Sequence, residues 1–490
     1  MIVMMITMTI FRMLITSSLL FQENLDNSRI FPDTPDNSDH EHDHVPTRAT
    51  ELVTQIKRSS FVVSEALKPG TKTQAGALFI LSRSKKAFQC KWCILGHGNL
   101  RWFNEDTSLA IPKETILLSN IFSVTKKTEK HYGPAHQELF CFDLSVLNSK
   151  GKFCVYLLGA LTSHERETWL ERLVQSLSHR LSNFSMTQCY RLGWAYIKLG
   201  FAAEWSLSWL SLSNQYLRYT TLDPGPEMED INLKKTKDLF IRNSKESQNL
   251  CLPAGFSKHP VLVCDFNDRS LYILCGAEKE CAAWKTHLQE VAFNNNNVLR
   301  EQQVTHEDIP VIVDKCVKFV YSHGVMTEGI YRLAGGNTKI NRLLTAFRSN
   351  AWSVQISREE YSEHDVANVL KRFVRQLSEP LLTETLRPEF LEAATLEGEE
   401  ERLAKYSNLL TKMPSINYNT LRRLMGHLHT VAAQSEKNLM PILNLAPLWG
   451  PNITTVDEQE GKGGQHVYGQ TSGEMESFHA VSLILDFKSV

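Results

Sequence analysis

At residues 362–380 the chain reads SEHDVANVLKRFVRQLSEP. Its apolar residues recur every three or four positions, which predicts a helix that buries one face. Ser362 followed three residues later by Asp365 has the spacing of a capping box, and Pro380 ends the segment. The predicted buried face consists of Val366, Leu370, Phe373, Val374 and Leu377.

Two cations share the opposite side of this helix. At about 100° per residue, Lys371 and Arg375 lie together and away from the apolar face. Like charges at i and i+4 repel by about 0.2–0.5 kcal/mol, and no acidic residue lies three or four positions from Lys371. Two interpretations stay open: a solvated surface, or a site for an anion, a group of carbonyl oxygens or a partner protein.

Neighbouring segments have the same helical period. Apolar stripes run through residues 309–324, which Pro310 and Gly324 delimit, and through residues 420–435. The last two hundred residues are therefore predicted to form an all-α bundle.

A loop precedes the central helix, and it reads EGIYRLAGG at residues 328–336. It places Arg332 just before Ala334, Gly335 and Gly336, with no acidic residue beside the arginine. Glycine allows backbone to approach another surface closely, which suits a loop that enters a partner. The alternative is an ordinary glycine-rich turn with a solvated arginine.

Upstream, the sequence predicts two similar modules rich in strands. Short β-branched and aromatic runs begin near Ala75 and end on an amphipathic helix with Trp169, for which Ser163 is the predicted cap. The same order recurs and ends on a helix with Trp284.

Composition restricts the possible functions. The 490 residues are 42% hydrophobic and carry 53 basic against 54 acidic side chains, so no overall field draws nucleic acid or an anionic membrane. The ten cysteines lack the spacing of a disulfide framework, which favours a reducing, cytoplasmic compartment. Cys90 and Cys93 have no second pair at zinc spacing, so they are predicted to be core residues.

The N-terminal segment, residues 1–66, is predicted to be a disordered tail with an apolar start. Residues 1–21 suggest a signal or anchor, but Arg12 near their middle disfavours membrane insertion, so we expect an unstructured start. His40, His42 and His44 in HEHDH could hold a metal, although a polar tail explains them more simply.

Three ordered blocks resemble the signatures of Rho GTPase-activating (RhoGAP) domains. They are EGIYRLAG at 328–335, LKRFVRQLSEPLLT at 370–383 and NLAPLWGPNI at 444–453. The resemblance covers residues 304–490 and includes a last helix at 477–490. The two modules, at 73–182 and 188–294, resemble α+β pleckstrin homology (PH) barrels closed by a C-terminal helix, with a linker at 295–303. This arrangement is similar to the C-terminal part of the dual ArfGAP and RhoGAP proteins with ankyrin repeats and PH domains.

The resemblance implies a role for each matching residue. Arg332 is the arginine finger that stimulates GTP hydrolysis in trans, Arg375 holds the finger loop, and Lys371 lies near the switch surface of the GTPase. Asn452 bonds the loop or that surface, and Asn444 supports the turn. Magnesium and GTP belong to the GTPase, so no cofactor or metal of the chain's own is expected.

Some residues depart from the family patterns. Ala334, Pro447 and Trp449 are unusual at their positions and are expected to weaken the support of the finger loop. A phosphoinositide site in the first module would use the cations Lys91, Lys86, Lys85 and Arg83. The second module has Ser206, Leu207 and Ser208 where cations are expected, with Lys198 nearby.

Together with the resemblance, these features predict an activator of a GTP-bound GTPase of the Rho, Rac or Cdc42 type. The activator itself is not expected to be an enzyme. We expect the protein to be cytoplasmic and to be recruited to the membrane surface by its PH modules. The alternative is a scaffold that binds GTPases or phosphoinositides without accelerating hydrolysis.

Overall fold

The computed structural model describes residues 72–454 except 83–86, 105–110, 148–152, 179–180, 182, 222–228 and 244. The chain divides between Ala292 and Phe293 into two compact units. The predicted tail at 1–66 and the predicted helix at 477–490 lie outside the described residues, as does HEHDH. Among the helices that the structure describes, none has the length and apolar character needed to cross a membrane.

The unit that ends at Ala292, called the strand unit below, contains two modules. Its first module is an antiparallel sheet followed by a helix. Its elements are β1 Gln74–Ser82, β2 Ala87–Gly96, β3 Asn99–Phe103, β4 Glu114–Leu117, β5 Ile121–Lys126, β6 His131–Tyr132, β7 Glu138–Leu147, β8 Phe153–Ala160 and α1 Ser163–Leu177. The strands pair in the order β4-β3-β2-β1-β8-β7-β5, and the short β6 pairs with β7.

The second module repeats this topology. Its elements are β9 Cys189–Leu199, β10 Ser206–Ser213, β11 Tyr216–Thr221, β12 Glu229–Asn232, β13 Asp238–Arg242, β14 Val261–Asp265, β15 Ser270–Leu274 and α2 Glu278–Phe293. They pair in the order β12-β11-β10-β9-β15-β14-β13, which matches the order β4-β3-β2-β1-β8-β7-β5 of the first module, and β6 has no described counterpart. The recurrence predicted from the sequence is therefore confirmed at the level of topology.

Each module buries the tryptophan of its closing helix. Trp169 is 5% exposed and Trp284 is fully buried. The cap of α1 differs from the prediction by one residue, because Thr162, and not Ser163, accepts a hydrogen bond from the Glu165 backbone at 3.1 Å. The Glu165 side chain bonds back to Thr162 and completes a capping box.

The two modules are joined through a shared pair of strands, which the sequence did not predict. β5 of the first module pairs with β9 of the second, with Ser123 opposite Gly193 and Thr125 opposite Arg191. A side chain at Gly193 would place Cβ only 2.7 Å from the Phe122 carbonyl oxygen, so close pairing here requires glycine.

A buried ion pair lies at this junction. Arg191 and Glu280 of α2 are 2.5 Å apart, and their side chains are 2% and 0% exposed. Arg191 also donates to the hydroxyls of Thr125 at 2.6 Å and Ser123 at 3.0 Å, and its guanidinium stacks over Trp284 at 4.7 Å. One arginine therefore connects strands of both modules to the closing helix of the second.

The second unit is a helical bundle. Its helices are α3 Val311–His323, α4 Asn337–Ser349, α5 Glu363–Arg375, α6 Arg387–Ala393, α7 Glu399–Lys412, α8 Ser415–Ala432, α9 Ser435–Asn438 and α10 Ile442–Thr454. The central helix α5 packs against α3, α4 and α10, and one hydrophobic core runs through the unit.

The predicted helix at 362–380 is α5, and both halves of its capping box are present between Ser362 and Asp365. It ends at Arg375, five residues before Pro380. The helix predicted around 420–435 starts earlier, at Ser415, directly after Pro414. Pro310 precedes α3 as predicted.

Residues 295–303, which the sequence suggests as a linker, are hydrogen-bonded to the helical unit. The Asn295 side chain is 3% exposed and donates to the Phe347 carbonyl oxygen at 3.1 Å and to Gln303 Oε1 at 3.0 Å. The Ser378 backbone donates to the Asn297 carbonyl oxygen at 2.9 Å. An asparagine-rich segment thus supplies amide partners to buried backbone.

Candidate functional site

Arg332 lies on the loop between α3 and α4, residues 324–336, which is called the Arg332 loop below. Its side chain is exposed, and no partner for its guanidinium is found within the described part of the chain. The backbone amides of Arg332 and Leu333 both donate to the Gly329 carbonyl oxygen, at 2.8 and 2.9 Å. This tight turn directs a cation outward from a well-defined backbone.

Tyr331 anchors the loop in the core. It is fully buried although its φ is +68°, a left-handed conformation that costs a non-glycine residue about 1–2 kcal/mol. Its hydroxyl and Nε2 of His427 are hydrogen-bonded at 2.6 Å, and its ring packs edge-on against Trp449 at 5.1 Å. Buried contacts offset the backbone cost and place the next residue, Arg332, at the surface.

The helix α5 holds the loop at three places along its polar side. Lys371 Nζ donates to the Tyr331 carbonyl oxygen, Asn368 Nδ2 donates to the Leu333 carbonyl oxygen at 2.9 Å, and Asp365 Oδ1 accepts from the Gly336 amide at 2.7 Å. These three residues are spaced i, i+3 and i+6 and therefore form one row on the helix.

Two of these three residues that hold the loop were not identified from the sequence. Asp365 was assigned to helix capping alone, and Asn368 was not singled out. The signal that could have identified them is the spacing D-x-x-N-x-x-K on the polar face, next to a loop whose carbonyl and amide groups need partners.

Electrostatics at the loop follow from burial and from these bonds. Burial lowers the pKa of the Lys371 ammonium below its ordinary value. Burial alone would raise the pKa of the Asp365 carboxyl, but hydrogen bonds from Ser362 and Gly336 outweigh it and lower that pKa. Asp365 therefore stays ionised and keeps both its cap and its loop contact at neutral pH.

In the structure, glycine is needed at position 335 for packing within the chain, whereas the sequence suggested close approach to a partner. A Cβ at Gly335 would lie 2.7 Å from Asp365 Cα and 2.9 Å from Asp365 N, which are backbone atoms that cannot move aside. At Gly336 the nearest atom would be 3.6 Å away. Gly335 is thus required for the loop to pack on the start of α5.

We therefore expect Gly335→Ala to destabilise the helical unit by about 1–3 kcal/mol, as overpacking in a tight site does. Gly336→Ala is the matched control and should change stability by much less. Urea unfolding, combined with hydrogen exchange of peptides from α5, measures both. Equal stabilities of the two variants would contradict the steric explanation.

The other predicted site residues lie at the end of α5 and on α10. Arg375 is the last residue of α5 and is exposed. On α10, the Asn452 side chain donates to the Leu448 carbonyl oxygen of its own helix, and Asn444 Nδ2 donates to the Leu439 carbonyl oxygen at 3.0 Å. From α10 it is Trp449 that packs on the loop, through Tyr331, and it is fully buried. This departure from the family pattern thus contributes a packing contact to the loop.

The candidate lipid-binding residues are only partly visible. Arg83, Lys85 and Lys86 lie outside the described residues. Lys91 is on β2 and donates to Asn104 Oδ1 at 2.7 Å. In the second module, Lys198 is 7% exposed and donates to the Leu250 carbonyl oxygen at 3.5 Å, so it is a structural residue.

Comparison with known protein families finds two matches in this chain. Residues 310–458 match the RhoGAP domain. Residues 72–178 match the PH domain. The RhoGAP match includes the Arg332 loop, α5 and α10, and the PH match covers the first module. One PH domain was found, so the prediction of tandem PH domains is supported for the first module alone.

The chain is similar to several curated proteins. It is 28% identical over 361 residues to the mouse Arf-GAP with Rho-GAP domain, ANK repeat and PH domain-containing protein 2, which is 73% of this chain and 20% of that protein. It is 34% identical over 236 residues to mouse protein 3 of that name, with 48% and 15% covered. It is 36% identical over 159 residues to human Rho GTPase-activating protein 31, with 32% and 11% covered. The chain therefore spans a fifth or less of the length of these relatives.

Proposed function

We propose that this chain accelerates GTP hydrolysis by a Rho-family GTPase and that Arg332 acts in trans as its arginine finger. The observation that carries the proposal is an exposed arginine, without a partner among the described residues, on a loop whose backbone is held by α5 and by the buried Tyr331. The RhoGAP match and the names of the relatives support it.

The chemistry explains why such a loop suits the task. GTP hydrolysis spreads negative charge over the transferring phosphoryl group, so a cation placed there stabilises the transition state more than the ground state. A guanidinium stays charged and donates to two oxygens at once. A loop that is already ordered does not have to lose entropy when it enters the GTPase. The GTPase supplies GTP and magnesium.

The neighbouring polar residues divide between support and contact. We assign Lys371 to the support of the loop, since its ammonium bonds the Tyr331 carbonyl oxygen. Arg375, exposed at the end of the same helix, is assigned to the surface that faces the GTPase. Asn444 and Asn452, near the start and the end of α10, are assigned to the support of this helix, because each donates to a backbone carbonyl oxygen.

A panel of GTP-loaded Rho-family GTPases tests the proposal. In single-turnover hydrolysis, we expect the purified chain to accelerate at least one of them by about 10³ to 10⁵. A chain that binds these GTPases but accelerates none would be a scaffold, and the activator function would be rejected.

We further propose that the second module is also PH-like, because its strands pair in the same order as those of the first. The first module is then the one that recruits this cytoplasmic protein to anionic membranes. In the second, the buried Lys198 and its bond to Leu250 disfavour a role in lipid binding.

The lipid role has its own test. We expect the double variant Lys86→Ala, Lys91→Ala to bind phosphoinositide liposomes about thirtyfold more weakly, since each lysine near an anionic surface contributes about 1 kcal/mol. Lys258→Ala, an exposed lysine of the second module, is the control. Unchanged sedimentation of the double variant with liposomes would remove the lipid role.

A further inference from the structure

Tyr331 is held at both of its ends, by two different helices. Its hydroxyl is bonded to His427 of α8, and its carbonyl oxygen accepts from Lys371 of α5. The peptide group between Tyr331 and Arg332 has little freedom to rotate once both ends are bound. These two bonds, together with the turn on the Gly329 carbonyl oxygen, set the direction in which the Arg332 side chain leaves the surface.

His427 occupies an unusual place for a polar residue. It lies on the same side of α8 as the core residues Leu424 and Val431, and it is 4% exposed. Burial, with a smaller effect of Arg423, lowers the pKa of His427 to about 3, so the imidazole is neutral at physiological pH. A buried neutral imidazole needs a hydrogen-bond partner, and the Tyr331 hydroxyl is that partner.

Packing alone does not account for this pair. The Tyr331 ring also contacts Trp449, and a phenylalanine in its place would keep that contact. The hydroxyl adds a directional bond of 2.6 Å that stabilises the left-handed backbone at Tyr331. Without this bond the ring can still be buried, but the backbone at φ +68° loses one of the contacts that oppose its relaxation.

We infer that His427 is a positioning residue for Arg332 and acts through the hydroxyl of Tyr331. This inference rests on the proposed function, since it concerns how well the finger is placed. His427 itself is buried beneath the loop and does not reach the GTPase. Its loss should therefore reduce the rate of hydrolysis in the complex and leave the affinity for the GTPase nearly unchanged.

The experiment compares Tyr331→Phe and His427→Leu with two controls, Tyr321→Phe and His429→Leu. The controls make the same changes at exposed positions, and His429 lies on the same helix as His427. Single-turnover hydrolysis at saturating chain gives the maximal rate. Binding to a GTPase loaded with a non-hydrolysable GTP analogue gives the affinity.

We expect both test variants to lower the maximal rate by about tenfold to a hundredfold, the loss that an ångström of misplacement causes. Affinity should stay within about twofold of wild type, and the double variant should be no slower than the slower single one, since both remove the same bond. His427→Gln, whose amide can still bond the hydroxyl, should recover part of the rate.

Maximal rates at the wild-type level in both test variants would overturn the inference, and so would losses that appear only as weaker binding. Should His427→Leu fail to fold, Tyr331→Phe decides alone, because it keeps the ring. If the wild-type chain accelerates no GTPase, the proposed function fails and this role fails with it. If wild type is active and the variants match it, only the positioning role is rejected.

Discussion

Arg332→Ala should lower the stimulated rate of GTP hydrolysis by about 10³ to 10⁵, which corresponds to roughly 4–7 kcal/mol of transition-state stabilisation. The loss is large because the guanidinium is the group that neutralises charge as it develops on the phosphoryl oxygens. The backbone of the loop is held by Lys371, Asn368 and Asp365 and does not depend on the Arg332 side chain. We therefore expect the variant to fold and to bind the GTPase almost normally.

Two further variants make this result specific. Arg332→Lys keeps the charge but cannot donate to two oxygens in a fixed geometry, so it should recover only a small part of the rate. Arg300→Ala removes another exposed arginine of the helical unit and should hydrolyse at the wild-type rate. If Arg332→Ala retained the wild-type rate while binding the GTPase, Arg332 would not be the finger.

Glu280→Ala should destabilise the strand unit by about 3–5 kcal/mol. The substitution leaves the Arg191 guanidinium buried at 2% exposure, without the carboxylate that neutralises it. The hydroxyls of Ser123 and Thr125 remain as acceptors but carry no charge. Because Arg191 lies where β9 pairs with β5, we expect both modules to be destabilised.

Thermal unfolding and hydrogen exchange of peptides from β5 and β9 measure this effect. Glu278→Ala is the matched control, since it removes an exposed glutamate from the same helix. Arg191→Met combined with Glu280→Leu removes both charges and should recover much of the stability. If Glu280→Ala and Glu278→Ala unfolded at the same temperature, the ion pair would have no net role at this junction.

Local patterns in the sequence account for most of the secondary structure. The apolar period of residues 362–380, with Ser362 and Asp365 as cap, predicted α5 correctly, because helix formation there depends on neighbours along the chain. The recurrence of short strands and a helix with one tryptophan predicted both modules for the same reason. The three blocks around Arg332 also led to the RhoGAP domain that the family match supports.

Contacts between distant segments could not be predicted in this way. Asn368 and His427 are polar residues on predicted helices. The sequence does not distinguish whether each of them faces solvent or binds a buried partner. Which one applies depends on where the Arg332 loop comes to lie, some 35 to 96 residues away in the chain. The pairing of β5 with β9 could not be predicted either, because the backbone groups at the edge of a strand can pair with any other strand.

By itself, the sequence determined the helices, the strands, their repeated order and the presence of one arginine on a thin loop. These properties depend on residues close together in the chain, where periodicity and capping decide the outcome. Only the tertiary structure decided that α5 binds the loop at three points, that Trp449 packs on Tyr331 and that Arg191 joins two modules. Those contacts require the burial of polar groups beside specific partners, and burial is settled only when the whole chain has folded.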